Sequence, residues 1–120
     1  LLRLRLSTLH GCRFCNQGNR QDALASGLTE EQIDAFDDPE NGPFTDAERA
    51  VLALGEQLAL TQPEGTLNPA LHRELAKHFS DAEILALGLV GGILAGVAKF
   101  MFAYDLVEKE DACPFHPASA

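Results

Sequence analysis

Cys12 and Cys15 bracket Arg13-Phe14, directly after His10-Gly11 and just before the polar run Asn16 to Arg20. A pair at this spacing can close a disulfide, clamp a metal or present a reactive thiolate. Gly11 interrupts an apolar run, Leu1 to Leu9, that suits the end of one helix, so Cys12 opens the next. A helix N-terminus presents unpaired N–H groups and a partial positive charge. Both stabilise a thiolate, bringing a cysteine pKa of about 8.5 down into the reactive range. Residues three apart on a helix share a face with Cβ atoms about 5–6 Å apart, slightly wider than a disulfide needs. A small adjustment of the first turn closes the bond.

The metal alternative has a definite form. Cys113-Pro114-Phe115-His116 is C-x-x-H, so Cys12, Cys15, Cys113 and His116 would complete a four-ligand zinc set. The long interval between Cys15 and Cys113 and the Pro-rich character of the second half weigh against it, and two inert structural thiols are a further alternative. No metal and no cofactor is therefore expected. His10 has two roles open: an imidazolium favouring a nearby thiolate, acting as an auxiliary base, or a turn histidine satisfied by backbone. His72 and His78 fall on different helix faces and read as surface residues, with Glu74 and His78 an ordinary i,i+4 pair.

The elements that must position the pair are helical. Thr29-Glu30-Glu31-Gln32, Thr45-Asp46-Ala47-Glu48 and Ser80-Asp81-Ala82-Glu83 each have the capping-box form, and Asn68-Pro69 adds a start with Pro at the first helical position. Helices are expected over 12–26 with Gly27 as the stop, 30–36, 46–61, 69–79 and 81–108, and 1–9 reads as the tail of a helix begun upstream. Nothing reads as a strand. The chain is expected to be a single all-α domain over 1–120, with 109–120 as a tail and further residues before Leu1.

Ile84 to Ala98 carries no charge, so the last helix is apolar around its whole circumference and needs neighbours on every side. The run stops before Lys99, short of the roughly 20 residues of a membrane span. A buried helix is the expectation, with Gly88, Gly92 and Gly96 forming a close-contact ridge and subunit association supplying the remaining neighbours. The whole chain is acidic, with net charge -9 over 120 residues and no basic stripe, which excludes a phosphate-backbone partner. An odd cysteine count of 3 and the absence of a signal pattern point to a reducing compartment, the cytoplasm.

The stretch Leu1 to Cys15, with the helices after it, resembles the AhpD-like, or carboxymuconolactone decarboxylase, family, whose thiol-active members carry E-x11-C-x-x-C-x3-H. In this chain the histidine position is Asn19, and the glutamate position falls immediately before Leu1. The resemblance implies an all-α, AhpD-like helical domain forming a homo-oligomer, a trimer or hexamer. It also implies a thiol-disulfide oxidoreductase with weak hydroperoxide reductase activity, an antioxidant peroxidase in kind. Cys15 would attack a hydroperoxide or disulfide substrate, and Cys12 would resolve the product into a disulfide reduced by a dithiol or lipoyl-type partner. Asn19 stands in the proton-relay slot and does not titrate. A decarboxylase-like or small-molecule-binding member, in which the two cysteines merely pack, is the competing reading, and no nucleic-acid or membrane partner is expected.

Overall fold

A computed structural model describes residues 1–116, which form α1 (Leu2–His10), α2 (Arg13–Ala25), α3 (Glu30–Asp34), α4 (Asp46–Leu58), α5 (Pro69–His78) and α6 (Asp81–Ala103). The end of the expected tail, 117–120, lies outside the described residues. Among those described there is no strand, only an isolated antiparallel bridge between Cys12 and Lys109.

All three capping boxes form. Thr29, Thr45 and Ser80 accept from the backbone N–H of Gln32, Glu48 and Glu83, whose side chains return to the cap N–H. Two helix stops depend on glycines with positive φ. Gly11, at φ 68, closes α1, with the Gly11 and Cys12 N–H groups donating to the Thr8 and Ser7 carbonyls. Gly27 does the same for α2.

The expected helices end a little early, two of them by three residues or more. The run expected to 61 stops at Leu58 because the Leu60 N–H is taken by His10 Nε2 at 2.9 Å, leaving Ala59 extended. The run expected to 108 stops at Ala103 because Asp105 adopts φ 53 and the Leu106 N–H turns back to the Met101 carbonyl.

The central helix is α1, which packs on α2, α4 and α6. Leu4 joins Ala23, Ile33, Phe36, Phe44 and Leu52 in one cluster, while Leu2 and Leu6 meet Val51 and Ala59 in another. Arg5 is buried on the same helix, its stem against Gly55 and its guanidinium donating to Asp37 at 3.2 Å and Glu56 at 2.7 Å.

The expected burial of the last helix is not completed within one chain. Only Gly91 and Ala98 of α6 are fully buried, and Leu85, Leu89, Ile93, Val97 and Phe100 stand exposed. By length and composition α6 is apolar enough to cross a membrane, contrary to the count above, yet it packs here on α1, α4 and α5. Within one chain the ridge makes no close contact: nothing lies within 4 Å of a Cβ built on Gly88, Gly92 or Gly96. Close approach is made by Gly91, where a Cβ would collide with Leu58. Four-residue spacing picked a stripe on the open side of the helix, whereas Gly91 faces the core.

Residues 106–116 form a strap. It crosses the start of α2, with the Arg13 N–H donating to the Glu108 carbonyl at 2.9 Å and the Glu110 N–H to the Gly11 carbonyl at 2.7 Å.

Candidate functional site

Cys12 is the N-cap of α2. Its extended backbone (φ -85, ψ 105) is the adjustment of the first turn that lets its sulfur reach Cys15, and the two close a disulfide with Cα atoms 5.2 Å apart. Cys12 Sγ also accepts the Cys15 N–H at 3.2 Å, so the sulfur satisfies one of the free donors of the helix start. The two cysteines differ in access. Cys12 is 1% exposed, while Cys15 is half-buried and the neighbouring Phe14 is 66% exposed.

Both cysteines line a cleft of about 460 Å³, a size in the range of small-molecule sites. One wall is apolar, from Leu94, Val97, Ala98 and Met101 of α6 and Leu6 of α1; the rim is polar, with Arg3, Gln17, Asn19 and Asp22. Asn19, one helical turn beyond Cys15, is on that rim, and its Oδ1 accepts from Arg3 Nη2 at 2.9 Å. Arg3 also faces Asp22 at 3.6 Å.

His10 touches the cleft but is committed elsewhere. It is 2% exposed, its Nε2 accepts the Leu60 N–H, and its ring sits edge-on to Phe102 and Phe115. An accepting Nε2 places the proton on Nδ1 of a neutral ring. Burial pushes its pKa below the usual imidazole value. Of its two roles, the backbone-satisfied one is what the structure contains.

The zinc set does not assemble: among the described residues no three His, Cys, Asp or Glu side chains converge as metal ligands. The Cys113 thiol is buried and donates to the His10 carbonyl at 3.0 Å, and His116 Nε2 lies 2.9 Å from the Glu110 carbonyl, a geometry in which that nitrogen donates. His78 Nε2 is 3.2 Å from Glu74, which Lys77 also engages, and His72 is exposed. Sequence reasoning missed Arg3, Asp22, Phe14 and Met101. Their place around the pair depends on how α1, α2 and α6 pack, which no local pattern encodes.

These helices and this cleft define an all-α, AhpD-like fold that carries a CxxC pair at disulfide distance. A solved structure of that shape comes from Agrobacterium tumefaciens, a protein of unknown function named as a candidate antioxidant defence protein AhpD. It superposes with a TM-score of 0.76 at 24% identity, over 98% of this chain and 75% of that one. At that identity the likeness is one of fold. The uncharacterized protein YdfG of Bacillus subtilis (strain 168) is 28% identical over 91 residues, 75% of this chain, and the match spans 61% of YdfG. No protein-family model matches the chain.

Proposed function

We propose that the chain is a thiol-disulfide oxidoreductase with weak hydroperoxide reductase activity, working through Cys15 and Cys12. The observation that carries this reading is the placement of the pair: a buried sulfur capping a helix N-terminus, bonded to a more accessible one at a cleft. In the dithiol state the Cys15 thiolate attacks a hydroperoxide oxygen, the O–O bond breaks, and alcohol leaves once its oxygen takes a proton. Cys12 then displaces water from the Cys15 sulfenic acid and restores the disulfide. An incoming dithiol, lipoyl-type or otherwise, attacks the accessible Cys15 and expels Cys12 as a thiolate; its second thiol then displaces Cys15 and the reductant leaves as a disulfide. The Cys15 N–H is already aimed at the leaving Cys12 sulfur, and a stabilised leaving thiolate departs faster. Asn19 cannot relay a proton to the departing alkoxide, so peroxide turnover is slower than disulfide exchange.

The exposed apolar face of α6 suits a homo-oligomer, a trimer or hexamer, because so large a patch is rarely left to water. A reducing cytoplasm supplies the thiols that the cycle consumes.

The experiment is peroxide treatment of the reduced protein followed by alkylation and mass spectrometry. A loss of two hydrogens on a linked pair of tryptic peptides, cut at Arg13, is expected, reversed by dithiothreitol. Two separately alkylated cysteines after treatment, or full peroxide turnover in Cys15→Ser, would overturn the mechanism. Sedimentation gives the subunit count.

A further inference from the structure

Arg13 is an inner residue of the CxxC, yet it is absent from the lining of the cleft that its neighbours Cys12, Phe14 and Cys15 share. The strap accounts for its direction. Arg13 Nε lies 3.3 Å from Glu110 Oε2, and Nη2 lies 3.8 Å from Asp111 Oδ1. Main-chain hydrogen bonds on both sides of Cys12, from Arg13 to Glu108 and from Glu110 to Gly11, set the strap's register. The buried Cys113 thiol, bonded to the His10 carbonyl, anchors its far end. Other charges near the pair are already engaged. Arg3 is shared between Asn19 and Asp22, His10 is held neutral, and Lys109 pairs with Asp105 beneath the Phe102 ring. Arg13 is therefore the cation beside the sulfurs whose position the strap decides.

We infer that Glu110 and Asp111 of the strap tune the Cys12–Cys15 pair by holding Arg13 away from it. This rests on the redox reading above. A cation near the sulfurs stabilises the thiolate and so the dithiol state, which makes the couple more oxidising. With Arg13 turned to the strap, that stabilisation is withheld and the disulfide is favoured. Glu110 and Asp111 are positioning residues, acting on the sulfurs through Arg13.

The test is equilibration of the whole protein with glutathione and its disulfide at fixed pH, protein disulfide plus two thiols giving protein dithiol plus glutathione disulfide, read by alkylation and mass spectrometry. Glu110→Gln/Asp111→Asn should shift the equilibrium constant toward dithiol by about threefold, near the upper end of what partly exposed ion pairs contribute; a tenfold shift would be about 30 mV. Adding Arg13→Ala to that double variant should abolish the gain, while Arg13→Lys should retain part of it. An unchanged constant in the double variant would overturn the inference, as would a gain that survives Arg13→Ala, since the carboxylates would then act directly. A wild-type pair that never interconverts with glutathione would remove the redox reading and this inference together. A measurable but insensitive constant removes only the inference.

Discussion

Replacing Gly11 with Ala tests how tightly the helix start and the strap are joined, and the structure separates the cost into two parts. At φ 68 an alanine pays the left-handed penalty, about 1–2 kcal/mol. Its Cβ would also lie 2.7 Å from Cys113 Cα and 2.8 Å from Cys113 Cβ. The nearer is a backbone atom of a pinned segment rather than a flexible tip, so the strap itself must shift, and overpacking of this kind costs about 1–3 kcal/mol. Together these reach about 2–5 kcal/mol, a fall in melting temperature of about 8–20 °C for a domain of this size. Gly27→Ala supplies the control, because Gly27 has φ 102 but nothing within 4 Å of a built Cβ. It should show the conformational part alone. Urea unfolding of both variants and maleimide labelling of Cys113 in the native state measure the two parts. Gly11→Ala no more destabilising than Gly27→Ala, with Cys113 still protected, would refute the claim that Gly11 is required by the strap.

Asn19→His should raise the hydroperoxide rate about 10-fold, the lower part of what positioned acid–base catalysis supplies, with disulfide exchange little changed; peroxide consumption at matched thiolate fraction checks it, and an unchanged rate would place the relay elsewhere. His10 has its pKa lowered by burial, so the unfolded chain binds its proton first as pH falls. Its contribution to stability is present above about pH 6.5 and is lost as pH drops through the lower folded value; urea midpoints between pH 7 and 5 should fall less steeply in His10→Gln. Gly92→Leu, with open space around it, should leave the fold of the single chain intact and act on association alone; sedimentation unchanged by it would put the subunit contact on another face.

The N-cap position of Cys12 was legible because it depends on neighbours in sequence: an apolar run, a glycine able to take φ > 0, then the cysteine. The capping boxes were legible for the same reason. Asp105 was not, because aspartate takes the left-handed conformation only occasionally. The stop of α4 was hidden for a different reason, since it depends on His10 fifty positions earlier. The apolar circumference of α6 showed that neighbours are needed, and one chain supplies only part of them. Arg5 and Arg3 look alike on one short helix, yet one is buried between α1 and α4 and the other sits on the cleft rim. Only the rotation of α1 separates them.

The strap joins segments far apart in sequence: Arg13 meets Glu110 across 97 positions and the Cys113 thiol meets the His10 carbonyl across 103. On a ribosome that order matters. The thiol pair leaves the exit tunnel well before the segment that covers Cys12, 97 positions later, and contacts so distant in sequence form late because loop closure must precede them. At about 5–20 residues per second, the nascent chain carries two uncovered thiols for several seconds or more before the strap can dock. The pair's accessibility in that interval is the accessibility of an uncovered segment, and protection of its sulfurs is a property that the chain acquires only once the strap has followed it out.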